Sequence, residues 1–295
     1  MVGELYSTLL ATESALRSGM PPPPADSATK MRAEAARLPA PLRGMFEGLA
    51  STSSSQAAGV ARSSIGALLD ANVGDFCRKA IAGRYPFVRN SPRDVTPDDF
   101  ARMFAPGGLM DDFFQKNLAQ YVDTSTKPWS FRRGIDGAPA GSSSSLSSFE
   151  KAAVIREVFF RGGARTPQYR VDMKPVEMDA SITTFALDVD GTPLSYLHGP
   201  QTPRSIVWPG PAGRNQVRVA LTPPGGGAST GPFEGSWALQ RFFDKAQITP
   251  SAQPEKFLAT FNFEGRKVAF EVTAASVQNP FKLREIEEFS CPGRL

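Results

Sequence analysis

The spacing of apolar residues changes near Thr166, and this change constrains the fold more than any other feature of the chain. Before it, apolar residues recur every three or four positions, as they do along one face of an α-helix. After it, they alternate with polar residues, as they do on a strand with one buried face. The sequence therefore predicts an α+β protein, in which an all-helical subdomain precedes an antiparallel β-sandwich with one inserted helix and a short C-terminal extension.

The length of 295 residues is enough for two domains that each bury a core. We divide the chain into a helical linker region (1–60), a helical subdomain (61–165), the sandwich domain (166–276) and the extension (277–295). Loops are expected at Pro21–Pro24, at the Ser/Gly-rich segment Asp136–Ser148 and at the Gly-rich segment Pro223–Gly231.

Local signals support both halves. In the helical half, Cys77 borders an apolar stripe that runs from Ile65 to Ala80. Gly83 suits a helix end, and Thr96 can cap a new helix that begins at Pro97. The strand half contains two hairpin patterns that turn at Asp190-Gly191 and at Glu264-Gly265. A single helical pattern beginning at Ser236 interrupts these strands.

The charge pattern does not favour nucleic-acid binding. The net charge is +4, but the whole excess lies before residue 166, with 20 basic and 16 acidic residues there and 13 of each after it. The basic residues are scattered, whereas a phosphate-binding surface usually shows a concentrated patch. No apolar run has the 18 residues that a membrane-spanning helix needs, and the N-terminus lacks the pattern of a secretory signal.

The sequence also contains no recognisable motif for catalysis or for cofactor binding. His198 is the single histidine, and at a strand end it is better explained as a surface or hydrogen-bonded structural residue than as a catalytic base. Two distant cysteines match no zinc spacing, and no phosphate-binding glycine motif is present. The acidic pairs at Asp98-Asp99 and Asp111-Asp112 suit the first turns of helices. We therefore expect no enzyme activity, no metal and no cofactor.

An ordered series of segments carries a family resemblance. "FCRKAIAGRYPF", "TPDDFARMFAPGGLMDDFF", "WPG" at Trp208–Gly210, "GSWALQRFFD" and the final "NPFKLREIEEFSCPGRL" follow one another over about Ala61 to Leu295. Together they resemble the C-terminal periplasmic region of the IcmF/TssM family, the large inner-membrane subunits of type VI secretion systems. The first 60 residues carry no part of this resemblance.

The resemblance implies a non-catalytic scaffold in the periplasm of a Gram-negative bacterium, anchored in the membrane only through segments upstream of this chain. Its implied partners are the outer-membrane lipoprotein TssJ, further copies of itself and the inner-membrane subunit TssL, with no nucleic acid. The β-domain would bind TssJ. The resemblance supplies no short motif for that interface.

The periplasm is oxidising, so Cys77 and Cys291 are a possible disulfide that would hold the C-terminal tail against the helical part. The alternative is that Cys77 is a buried thiol and Cys291 an unrelated free one. In the tail, Phe281, Leu283, Arg284 and Phe289 form either part of the core or part of a partner interface.

Two other functions stay open at this point. A carbohydrate-binding sandwich, with peptidoglycan as its ligand, could use exposed Trp208 or Trp237 as stacking platforms, although Trp237 at a helix start fits a core position better. A hydrolase could use a buried pair of carboxylates that face a cleft.

Overall fold

The computed structural model describes residues 2–18, 26–132, 146–222, 228–276 and 278–293. It divides into two compact units that alternate along the chain. The first, the helical unit, comprises residues 1–79, 109–150 and 290–295; the second, the sandwich unit, comprises 80–108 and 151–289. The predicted loop at Pro21–Pro24 and most of the loop at Asp136–Ser148 lie outside the described residues. The four-part division of the sequence stays a prediction.

Nine α-helices are found in the described part of the chain, and a π-helical turn at Asp70–Gly74 joins the third to the fourth. Their bounds are α1 Val2–Ser18, α2 Asp26–Ala35, α3 Ala40–Leu69, α4 Asp75–Ala80, α5 Pro97–Phe104, α6 Leu109–Asn117, α7 Ser147–Phe159, α8 Ala238–Phe243 and α9 Arg284–Glu287. The Thr96 hydroxyl accepts a hydrogen bond from the Asp99 amide at 3.0 Å, so the predicted cap of α5 is confirmed.

Near its C-terminal end, α3 buries Ile65 and Leu69. Over residues 2–52 the described interior is smaller. There Met31 of α2 packs against Ala50 and the half-buried Phe46 of α3, and Ala15 and Ala35 are the other buried apolar side chains that the structure describes. In the same region Met45 is 71% exposed and Tyr6 is 63% exposed. A larger aromatic contact lies further along the helical unit, where Phe114 meets Trp129 and Phe149.

The strands form three antiparallel sheets among the described residues. The small one pairs β1 Val122–Asp123 with β2 Ser130–Phe131. The other strands are β3 Tyr169–Met178, β4 Thr184–Val189, β5 Thr192–Tyr196, β6 Arg204–Trp208, β7 Gln216–Thr222, β8 Ala228–Glu234, β9 Gln247–Pro250, β10 Lys256–Phe263 and β11 Arg266–Ala274. Their orders are β6-β3-β11-β10-β9 in the five-stranded sheet and β5-β4-β7-β8 in the four-stranded sheet.

The alternating pattern predicted this part of the fold correctly. β4 and β5 form a hairpin with Leu187 opposite Leu194, and β10 and β11 form a hairpin with Phe261 opposite Val268. All four of these side chains are buried, as expected for strands with one face on the core. The expected α+β class, with its helical part, its antiparallel sheets and α8 inserted, is confirmed. The expected Gly-rich loop at Pro223–Gly231 extended too far, because Ala228–Gly231 belong to β8; its first five residues lie outside the described ones.

Aromatic rings dominate the core of the sandwich unit. Phe242 of α8 stacks on Phe261 of β10 with ring centroids 4.3 Å apart, and Phe243 stacks on Phe281 at 3.7 Å. Trp237, at the start of α8, packs edge-on against Phe100 of α5. Such pairs stabilise by about 0.5–1.5 kcal/mol beyond the burial of their area. The inserted helix is therefore a central part of the core.

Candidate interaction surfaces

The two cysteines of the chain are joined to each other. Cys77 of α4 and Cys291 form a disulfide with an S–S distance of 2.01 Å and a sequence separation of 214 residues. Both residues belong to the helical unit, and the Cys77 side chain is fully buried. The bond therefore holds the C-terminal end of the described chain in the helical unit.

The structure places the four tail residues in different environments. Phe281 and Leu283 are buried, with 4% and 3% of their surface exposed. Phe289 is half-buried and packs against Phe87 and Phe104. Arg284 differs from them, because its side chain is 80% exposed and pairs with Glu288 one turn away. Phe281 and Leu283 thus lie in the core of the sandwich unit, Phe289 packs at its edge, and Arg284 is the member whose side chain is mainly exposed.

A group of polar side chains holds the tail against α8, and we call Tyr85, Arg89, Asp244 and Glu287 the tail clasp. The Tyr85 hydroxyl donates to Asp244 Oδ2 at 2.8 Å. The Arg89 guanidinium donates to Asp244, to Glu287 of α9 and, at 3.2 Å, to the Phe281 carbonyl. One arginine thus connects three segments that are far apart in sequence.

Burial of the Tyr85 ring raises the pKa of its hydroxyl far above the ordinary range, and the nearby Asp244 carboxylate raises it further. Arg241 of α8 works against this shift, since its guanidinium lies 3.9 Å from the centre of the Tyr85 ring. The same guanidinium donates to Asp94 and to the Ser91 carbonyl. Two arginines therefore hold segment 85–95 on α8. Arg89 of the segment binds Asp244 at the end of α8, and Arg241 of α8 binds Asp94 of the segment.

A second polar site organises the loop after β6. Asp190 is 1% exposed, and its carboxylate accepts hydrogen bonds from the amides of Gly210 at 3.2 Å and Arg214 at 2.8 Å. A Cβ atom on Gly210 would lie only 2.6 Å from the Asp190 Cβ. The indole of Trp208 donates to the Ser236 carbonyl at 2.9 Å. In this structure the "WPG" segment therefore has a structural task, which is to close a loop around a buried carboxylate.

Both proposed carbohydrate platforms are buried, which corrects the expectation that they could be exposed. Trp208 is 2% exposed and Trp237 is 3% exposed, and the Trp237 indole donates to the Val95 carbonyl at 2.8 Å. A ring in the core cannot stack on a sugar. Neither residue can serve the carbohydrate-binding function in this structure.

His198 and the carboxylates that line a pocket have structural partners. One ring nitrogen of His198 lies 2.6 Å from the Ile182 carbonyl. Asp244 and Glu287 line a small pocket with room for little more than a water molecule. Both of these carboxylates bind Arg89, so each already has a cationic partner. Among the described residues, no group of three or more potential metal ligands occurs.

Both large sheets carry charged side chains on their outer faces. On the five-stranded sheet, Glu271 lies between Lys174 and Leu258 on the neighbouring strands. On the four-stranded sheet, Ala186 lies opposite Ala220, and two residues along these strands Asp188 lies opposite Arg218. Either outer face therefore offers charged and uncharged side chains to a partner.

Comparison with known proteins agrees with this architecture. Residues 171–276 match the model of the type VI secretion protein IcmF C2-like domain, and these residues include most of the two large sheets. Over 272 residues the chain is 36% identical to "Type VI secretion system component TssM1" of Pseudomonas aeruginosa. The chain belongs to the IcmF/TssM family. The match includes 92% of this chain but 25% of the relative, so the chain spans about a quarter of that relative's length.

Three solved structures share the fold. A chain of a "Type VI secretion system membrane core complex" aligns with a TM-score of 0.74 over 90% of this chain and 56% of that one, at 19% identity. The TssM C-terminal domain from EAEC aligns with a TM-score of 0.67 over 79% of this chain and 97% of that one, at 20% identity. A chain of a "Type VI membrane complex" aligns with a TM-score of 0.70 over 88% of this chain and 52% of that one, at 18% identity. No helix among the described residues is both long and apolar enough to cross a membrane.

Sequence reasoning did not identify the tail clasp. Arg89 lies 155 residues from Asp244 and 198 from Glu287, and single arginines and carboxylates in loops carry no periodic signal. The "RYPF" segment, which resembles the family, contains Tyr85 and ends two residues before Arg89. The position of Arg89 close to this segment was the one sequence signal that pointed to the tail clasp.

Proposed function

We propose that this chain is a non-catalytic structural subunit of a type VI secretion membrane complex, placed in the periplasm, and that its β-sandwich docks the outer-membrane lipoprotein TssJ. The main support is the 36% identity to TssM1 over 92% of the chain, together with the fold shared with chains of two membrane complexes. Further copies of the chain and the subunit TssL complete the set of proposed partners.

The described arrangement fits a rigid adaptor. Polar side chains of the sandwich unit are engaged in hydrogen bonds and ion pairs that connect segments far apart in sequence, as in the tail clasp. Sandwich faces, edges and loops are common places for protein contacts. The rigid core would then present its outer surfaces to partners without rearranging.

Titration calorimetry of the chain with the soluble part of TssJ tests the proposal directly. We expect saturable binding at micromolar concentrations, and no binding at tens of micromolar would contradict TssJ docking. Two matched variants then locate the surface: Ala220→Arg on the outer face of the four-stranded sheet, and Thr260→Arg on that of the five-stranded sheet. A loss of affinity in one variant with the other unchanged assigns the face.

The tail is tested separately. Arg284 has an exposed side chain, so we propose it as the tail residue that contacts the partner. Arg284→Glu should weaken TssJ binding several-fold without changing the melting temperature. Unchanged affinity would limit the tail to its structural task.

A further inference from the structure

Over the described side chains of residues 2–52, helices α1 and α3 expose large apolar residues, and their buried apolar residues are Ala15 and Ala50. Of eleven large hydrophobic side chains that are exposed in the described chain, six lie on these two helices: Tyr6, Leu9, Leu10, Leu42, Met45 and Leu49. A helix at a protein surface ordinarily has its charged residues on the outer face and its apolar residues inside. Contiguous exposed apolar surface on a soluble protein marks a place of contact.

On α3 the apolar side chains form one continuous face, which we call the Met45 face. At 3.6 residues per turn, six residues of the stretch 41–52, Met45 included, lie within about 60° of the direction of Met45 around the helix. They are Pro41, Leu42, Met45, Gly48, Leu49 and Thr52, all exposed and all uncharged. The two charged residues of this stretch, Arg43 and Glu47, lie about 160° from Met45 and pair with each other at 3.0 Å. The face therefore holds no charge that would repel an identical face.

The order of large and small residues on the Met45 face suits pairing with itself. When two copies of α3 pack antiparallel about a two-fold axis at Met45, Leu42 lies opposite Gly48 of the second copy, and Leu49 lies opposite Pro41 of the second copy. Large side chains then face small ones, which is the arrangement that fills a helix interface. A Cβ added at Gly48 would meet nothing within 4 Å, so the space above it is open to such a side chain.

We infer that the Met45 face binds the same face of a second copy of this chain, as an isologous α3–α3 contact. This inference takes one point from the proposed function, namely that several copies of the chain act in one complex. The contact is small, since it uses about two turns of helix, whereas a stable interface buries about 800 Å² per partner. It is therefore weak in dilute solution and becomes effective when copies are held together at millimolar effective concentration.

Cysteine cross-linking is suited to a weak contact of this kind. Both native cysteines are in the Cys77–Cys291 disulfide, so Met45→Cys introduces the one reactive thiol. Under mild oxidation at about 0.5 mM protein, Met45→Cys should give a disulfide-linked dimer in more than half of the chains. Arg43→Cys, exposed on the opposite side of the same helix, should give less than a tenth of that amount. Mass spectrometry should show that the native disulfide is retained.

Sedimentation at the same concentrations provides the second measurement. Met45→Glu should abolish the concentration-dependent rise in mass, with a melting temperature within 2 °C of the unchanged chain. Equal cross-linking at positions 43 and 45, or none at position 45, overturns the inference. Binding to phosphatidylethanolamine/phosphatidylglycerol vesicles without a dimer also overturns it, because the face would then be a lipid contact. TssJ binding by Met45→Glu, measured in parallel, tests the docking function independently.

Discussion

The sandwich unit and the N-terminal helices of the helical unit differ in where they place their large apolar side chains. In the sandwich unit, phenylalanines such as Phe242 and Phe243 are at most 1% exposed. In the N-terminal helices, Met45 and Tyr6 are exposed, while Met31 and three alanines are buried. Large side chains in the interior contribute most of the free energy of apolar burial, whereas exposed ones mark places of contact. The comparison shows that the position of the large apolar residues, inside or outside, decides whether they stabilise the fold or offer a surface.

Replacing a core aromatic residue in each region gives the largest expected difference. Trp237→Ala removes a buried ring and the bond to the Val95 carbonyl, and should destabilise the sandwich unit by about 4 kcal/mol. Phe46→Ala, at a half-buried position on α3, should cost about 1 kcal/mol. Urea unfolding combined with hydrogen exchange measures both. Equal costs would break the comparison.

Removing the disulfide should act on the helical unit. In the chain-entropy model, closing a loop of this length stabilises by about 3–5 kcal/mol, so Cys77→Ala with Cys291→Ala should lower the stability of the helical unit by about 3 kcal/mol. Hydrogen exchange should show faster exchange in α3 and α6, with strands β10 and β11 unchanged. Adding reductant to the unchanged chain is the matched control and should reproduce the effect.

The tail clasp should contribute more to the free energy of unfolding than the exposed Arg284–Glu288 ion pair at α9, the helix that carries Glu287 of the clasp. Arg89→Met removes the cation shared by Asp244 and Glu287 and should destabilise the sandwich unit by about 2 kcal/mol, because Asp244 is mostly buried. Arg284→Met breaks the exposed pair with Glu288 and should cost less than about 0.5 kcal/mol. Chemical denaturation separates the two. Similar values would show that the clasp adds nothing beyond a surface pair.

The loop around Asp190 allows a comparison of two glycines. Gly210→Ala places a Cβ 2.6 Å from Asp190 and should cost about 1–2 kcal/mol through the shift it forces. Gly199→Ala meets nothing within 4 Å, so its stability should be unchanged or slightly higher. Thermal unfolding measures the difference. A harmless Gly210→Ala would mean that the loop can move away from the carboxylate.

Alkaline pH should weaken the sandwich unit by the smallest amount. Burial raises the pKa of both Tyr85 and Tyr169 in the folded chain, so only the unfolded chain loses these protons near pH 10. The stability from each hydroxyl is complete below pH 10 and declines above it, by about 0.8 kcal/mol at pH 10.5. Tyr85→Phe should reduce the fall in melting temperature between pH 9 and 10.5. An unchanged slope would contradict the assignment.

Features that depend on residues close together in the sequence could be predicted, and features that depend on residues far apart in the sequence could not. Turns such as Asp190-Gly191 and the cap at Thr96 follow from neighbouring residues, and alternation along β10 and β11 predicted their hairpin. The tail clasp and the Asp190 loop depend on side chains that meet only after folding, so no local pattern revealed them. The Trp208 indole likewise finds its partner, the Ser236 carbonyl, 28 residues along the chain.

The bond between Cys77 and Cys291 makes the whole sandwich unit part of a covalent ring. Both large sheets and α8 lie within the 214-residue interval that the bond closes. A protease that cuts one loop anywhere in that interval therefore opens the ring but releases no fragment. Nicked chains would migrate as one species on a gel until a thiol is added, and such a chain could remain assembled after damage.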